Sequence, residues 1–165
     1  MPLCARALWY TPVPADRSGE DAVAEARRWL ALAEDDVHGA EAMLERDDVA
    51  PRLSCFLAQQ AAEKAIKARL IGAETRFPRI HDLLALRALL PAGQPVGLDD
   101  LRLANLSVWA VEARYPGDLP NATATDARDA VAGARALLDA ARRDLDRPSE
   151  ARQGPANIGR DTASR

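Results

Sequence analysis

Residues 51–72, PRLSCFLAQQAAEKAIKARLIG, decide the fold. Pro51 suits the first position of a helix, where its missing N–H leaves no bond unmade. Gly72 is expected to supply a left-handed stop at the other end, so the spacing predicts a helix over 51–71. Wound at 100° per residue, the segment gathers Ala58, Ala61, Ala62, Ala65 and Ala68 on one broad side, and small side chains there let a neighbouring helix approach closely. Across from them runs a polar strip of Gln59, Gln60, Glu63, Lys64 and Lys67. It is interleaved with Phe56, Ile66, Leu70 and Ile71 and so is no ordinary solvent face. Polar groups set among such neighbours need partners.

Outward from this helix, the pattern repeats. Upstream, Ala26, Leu30, Ala33, Val37, Ala40 and Leu44 recur at steps of four and three, which predicts an amphipathic helix over 18–46 with Ser18 and Asp21 imitating a capping box. Downstream, the connection ETRFPRI leads to a short leucine-dense helix over 81–90 that stops before Pro91. A fourth helix is expected over 98–114, with Leu101, Ala104, Val108 and Val111 as its stripe, Trp109 beside it and Pro116-Gly117 as its break. A fifth covers 125–146 through Ala127, Val131, Ala134, Leu138, Ala141 and Leu145. The fold class is therefore all-α, an up-and-down bundle of four long helices and one short one. Residues 1–17 read as an N-terminal extension whose apolar cluster is Leu8, Trp9 and Tyr10. Residues 18–147 form the bundle. Residues 148–165, with Ile158 as their one large aliphatic side chain, read as a disordered tail.

Composition narrows the functional classes. At 165 residues the chain suits one core, and 4% aromatic residues are too few for a typical sandwich or barrel. The net charge of −3 conceals an asymmetry, because residues 20–48 hold ten acidic and three basic side chains while 64–87 hold six basic and two acidic. The first run reads as a solvated face, and the second is either another such face or a place for phosphate to dock. Cys4 and Cys55 form no CxxC pair, so no zinc site or disulfide framework is implied. Neither a signal-peptide core nor an 18-residue apolar run occurs, and the expectation is a cytoplasmic protein without membrane contact. Asp35 and His38 have the spacing of a bundle di-metal site, but such sites take a matching histidine from a second helix, and a salt-bridged surface is the simpler reading. No metal and no cofactor is expected.

Three stretches carry a resemblance: Cys55 through Ala68, then His81-Asp82-Leu83, then Ala113-Arg114-Tyr115-Pro116. Their order and spacing, with a tryptophan-bearing helix before and a long helix after, resemble the HEPN family over residues 22–146. The resemblance implies a helical bundle, commonly a homodimer, often encoded beside a minimal nucleotidyltransferase as a toxin–antitoxin pair. It also implies nucleotide or RNA binding, through Arg114, Tyr115, His81, Asp82, Lys64, Lys67 and Arg79. Gln59, Gln60 and Glu63 would then lie at the core or dimer contact.

Some family members are metal-independent ribonucleases that use an arginine followed, after four to six intervening residues, by a histidine. Counted from Arg114, those positions here are Leu119, Pro120 and Asn121, none of which transfers a proton. Arg76 and His81 have the spacing, as RFPRIH, but precede the short helix. Ribonuclease activity would therefore work through Arg114 with His81 as an atypical proton carrier. Residue by residue, a plainer role stands beside each of these. Arg114 suits a helix C-terminus, His81 and Asp82 suit a helix N-cap, and Glu63 and Lys67 form a favourable i,i+4 pair. A purely structural or regulatory helical partner is the remaining alternative.

Overall fold

A computed structural model describes residues 19–92, 94, 96–112 and 121–147. It contains α1 (Gly19–Leu44), α2 (Pro51–Gly72), α3 (Leu83–Arg87), α4 (Asp100–Glu112) and α5 (Ala124–Leu145). The N-terminal extension, the cap at Ser18, the break at Pro116-Gly117 and the C-terminal tail lie outside the described residues.

α2 is the axis of the bundle and packs on all four other helices. Its alanine side is completely buried, and the helix starts as its sequence implies, with Pro51 in the first turn. Its end differs from expectation. Gly72 is still helical, Ala73 caps the helix at φ −92°, and the left-handed residue is Glu74 at φ 54°. Gly72 serves packing instead, since a Cβ there would overlap Leu145 Cδ2 of α5. α1 runs antiparallel to α2, tied at one end where Ser54 Oγ donates to the Ala40 carbonyl at 2.6 Å. α2 and α5 run parallel, with Gly72 against Leu145 at their C-terminal ends. The stripes expected for α1 and α5 are buried, apart from half-buried Leu44.

α5 begins one residue before its expected start, because Thr123 and Asp126 form a complete capping box: Thr123 Oγ1 accepts from Asp126 N, and Asp126 Oδ2 accepts from Thr123 N at 2.8 Å. α3 is shorter than expected, and its last turn loosens into successive turns at Leu89 and Leu90.

α4 corrects the sequence reading more substantially. The residues facing the core are Leu103, Leu106 and Ala110, whereas Leu101, Val108 and Val111 are 71%, 41% and 54% exposed. α4 carries two apolar stripes whose centres lie about 150° apart at 100° per residue. Periodicity reports each equally well, and only contact with α2, α3 and α5 selects between them. Ser107 fixes the choice, its Oγ accepting from Leu83 N at 2.9 Å and so turning that side of α4 toward the start of α3.

The charged surface of α1 is tied down by ion pairs to other helices: Asp36 with Lys64 of α2, Glu34 with Arg142 and Glu41 with Arg135 of α5. Burial pushes the Cys55 thiol up to about 12, a further contribution coming from Asp126, so Cys55 is a core side chain without thiolate character at neutral pH. No helix among the described residues is long and apolar enough to cross a membrane.

Candidate functional site

The polar strip of α2 is bonded largely within itself and is completed by the connection between α2 and α3, apart from Lys64, which turns to Asp36 of α1. Gln59, Glu63 and Lys67 stand at i, i+4 and i+8, one above another on the helix surface. Lys67 Nζ donates to Glu63 Oε1 at 2.6 Å, and Gln59 Nε2 donates to Glu63 Oε2 at 3.2 Å. Gln60 Nε2 closes the upper end on Gln59 Oε1 at 2.7 Å. Gln59, Glu63 and Lys67 are all buried. Phe77 covers Lys67 from the connection, its ring centroid 5.9 Å from Nζ, within the range of a cation–π contact.

Onto this array the chain returns His81. Its Nδ1 lies 3.0 Å from Glu63 Oε2 and 3.1 Å from Oε1, and its carbonyl accepts from Gln59 Nε2 at 3.3 Å. Ring and backbone are thus held by the same two residues. The ring itself remains 64% exposed. Burial acts to raise the Glu63 carboxyl, but the hydrogen bond and charge of Lys67, followed by those of His81, outweigh it and hold the group below its ordinary range.

The other expected site residues are distributed unevenly. Asp82 is the N-cap of α3, its Oδ1 accepting from Leu84 N at 2.9 Å and Ala85 N at 3.1 Å, and its place is explained by that cap. Lys64 lies on the α1 side of α2, paired with Asp36, and does not join the His81 group. Arg76 and Arg79 are exposed on the connection that carries His81. Gln59 and Glu63 are buried within the subunit itself. Arg114 and Tyr115 lie outside the described residues. Among the described residues no group of three or more His, Cys, Asp or Glu is placed to hold a metal ion.

The model of the HEPN domain family matches residues 26–144. The chain belongs to the HEPN family. The crystal structure of TT1696 from Thermus thermophilus is similar to it, with 30% sequence identity and a TM-score of 0.62 over 72% of this chain and 97% of that one. Comparison with curated proteins gives no match. In this HEPN domain, then, the signature run of α2 is a buried hydrogen-bonded array with one exposed product, the His81 ring.

Sequence reasoning missed a second buried polar pair. Arg69 of α2 and Asp144 of α5 meet at 2.5 Å with side chains 1% and 6% exposed, Arg69 also donating to Gln94 Oε1 at 3.3 Å. Burial weighs against the charged guanidinium and Asp144 opposes that effect. The only sequence signal was an arginine on a helix face otherwise lined by Ala65, Leu70 and Ile66.

Proposed function

We propose that this HEPN domain is a nucleotide- or RNA-binding module that acts as a homodimer and partners a minimal nucleotidyltransferase in a toxin–antitoxin-type pair. The observation that carries the reading is the Glu63-held His81 ring, exposed on a connection that also exposes Arg76 and Arg79. Cations beside an imidazole suit phosphate and sugar, and the electrostatic part of such binding weakens with salt. Labelled RNA is expected to bind wild-type protein at low salt, with log affinity falling linearly as log salt rises. Arg76→Glu combined with Arg79→Glu should remove most binding at unchanged helicity. Absence of RNA or nucleotide binding at low salt would leave the structural or regulatory reading in its place.

The outward stripe of α4 supports the dimer. Leu101, Ala104, Val108 and Val111 are spaced by three, four and three, the geometry of a helix–helix seam, and two-fold related copies would bury them against each other. Light scattering should give the mass of two chains for wild type and of one for Leu101→Glu/Val108→Glu.

Metal-independent ribonuclease activity is the second reading, favoured by the carboxylate behind His81. A base oriented in this way suits proton transfer, with Arg114 as the charge-stabilising partner. Cleavage of a mixed RNA pool in the presence of chelator should then be abolished by Arg114→Ala and by His81→Ala. An inactive wild type returns the domain to binding alone.

A further inference from the structure

Glu63 has more consequence than a helix-surface salt bridge, because it settles which nitrogen of His81 carries the proton. An ionised carboxylate only accepts hydrogen bonds. Both Glu63 oxygens face His81 Nδ1, at 3.1 and 3.0 Å, and both are already supplied by donors, Lys67 Nζ on Oε1 and Gln59 Nε2 on Oε2. Nδ1 must therefore donate. In a neutral imidazole the other nitrogen is then a bare lone pair. Among the described residues Nε2 makes no hydrogen bond, and the ring is exposed. The residue is also immobilised through its backbone carbonyl by Gln59 and by the Asp82 cap that follows it. This is a fixed, outward-pointing hydrogen-bond acceptor on a stretch otherwise furnished with donors, Arg76 and Arg79.

A phosphate oxygen has no proton to offer such a lone pair, whereas a sugar hydroxyl does. Resting on the nucleic-acid reading above, we infer that Glu63 holds His81 as the Nδ1–H tautomer so that Nε2 accepts a hydrogen bond from a ribose 2′-hydroxyl, making this contact the one that distinguishes RNA from DNA. Glu63 acts through His81 and is a positioning residue. The cations supply sequence-independent attraction, and the imidazole supplies the choice of sugar.

The structural half is tested by long-range 1H–15N correlation spectra of the histidines at pH 8, where His38 is the one other imidazole and His38→Asn assigns the pair. His81 should show a protonated Nδ1 and an unprotonated Nε2; a protonated Nε2 overturns the inference whatever the protein binds. The recognition half compares one sequence as RNA, as DNA and as 2′-fluoro RNA, which keeps the RNA-like sugar pucker but has no hydroxyl proton. RNA should bind about three- to tenfold more tightly than either, the scale of one net hydrogen bond. His81→Phe, a change at an exposed ring whose urea midpoint is compared with wild type, should bind all three alike with the affinity wild type has for DNA. Glu63→Gln should lower the preference and mix the tautomers; if that variant fails to fold, His81→Phe alone decides. A preference for RNA that survives His81→Phe overturns the inference while leaving nucleic-acid binding in place. If wild type binds none of the three, the inference and the binding reading fall together.

Discussion

Asp144→Ala is expected to destabilise the domain by about 3–5 kcal/mol, measured as a lowered urea midpoint at unchanged slope. The magnitude comes from what the substitution leaves behind. Arg69 is fully buried on α2, and its guanidinium would keep Gln94 as a neutral acceptor but lose the Asp144 carboxylate that faces it from α5. Arg147 also reaches Asp144, at 3.2 Å, but is itself half-exposed and can turn to water. Removing both members should be far milder. Arg69→Met/Asp144→Leu exchanges a desolvated ion pair for apolar contact, and such exchanges are often neutral or stabilising. A double variant as unstable as Asp144→Ala would mean that the pair holds α2 and α5 in register by geometry that hydrophobic packing cannot replace.

Glu63→Met is the second large effect, a loss of about 3–5 kcal/mol at neutral pH, because buried Lys67 would lose its carboxylate and, among the described residues, keep the Phe77 ring as its electrostatic partner. This variant also changes the response to acid. The folded protein holds the Glu63 carboxyl below its ordinary value of 4.5, so folding opposes its protonation. For a group whose folded pKa is depressed, the stabilisation is complete above the unfolded value and is lost as pH falls through the folded one. Wild type should therefore lose stability on acidification below about pH 4.5 more steeply than Glu63→Met, as read from urea midpoints at stepped pH. Parallel curves would show that folding leaves the Glu63 carboxyl at its ordinary value, so that Lys67 and His81 do no more than offset its burial.

The two variants remove the partners of two different side chains of α2, Arg69 and Lys67. Arg69 faces α5 and concerns only how the bundle closes. Glu63 faces the connection to α3, and its loss would disturb both stability and the His81 ring. Binding measurements on Asp144→Ala under conditions where it remains folded thus separate general loosening from damage to the candidate site.

The sequence by itself determined the number, order and near boundaries of the helices, because helix periodicity, prolines and capping residues are local signals. It also determined that the polar strip of α2 required partners, since buried polar groups cannot go unbonded at acceptable cost. It marked His81 and Asp82 as a helix start, and Asp82 is that cap. Only the tertiary structure decided the rest. Gly72 reads locally as a stop, but the close approach of Leu145 gives it another task. Leu101, Ala104, Val108 and Val111 read as a core stripe, yet the neighbours of α4 bury the opposite side. The pairing of Glu63 with His81 spans 18 positions and that of Arg69 with Asp144 spans 75, separations at which residue spacing carries no information about contact. Local sequence fixes the pitch and the ends of a helix, but which of its faces meets which neighbour is settled by the simultaneous packing of all five.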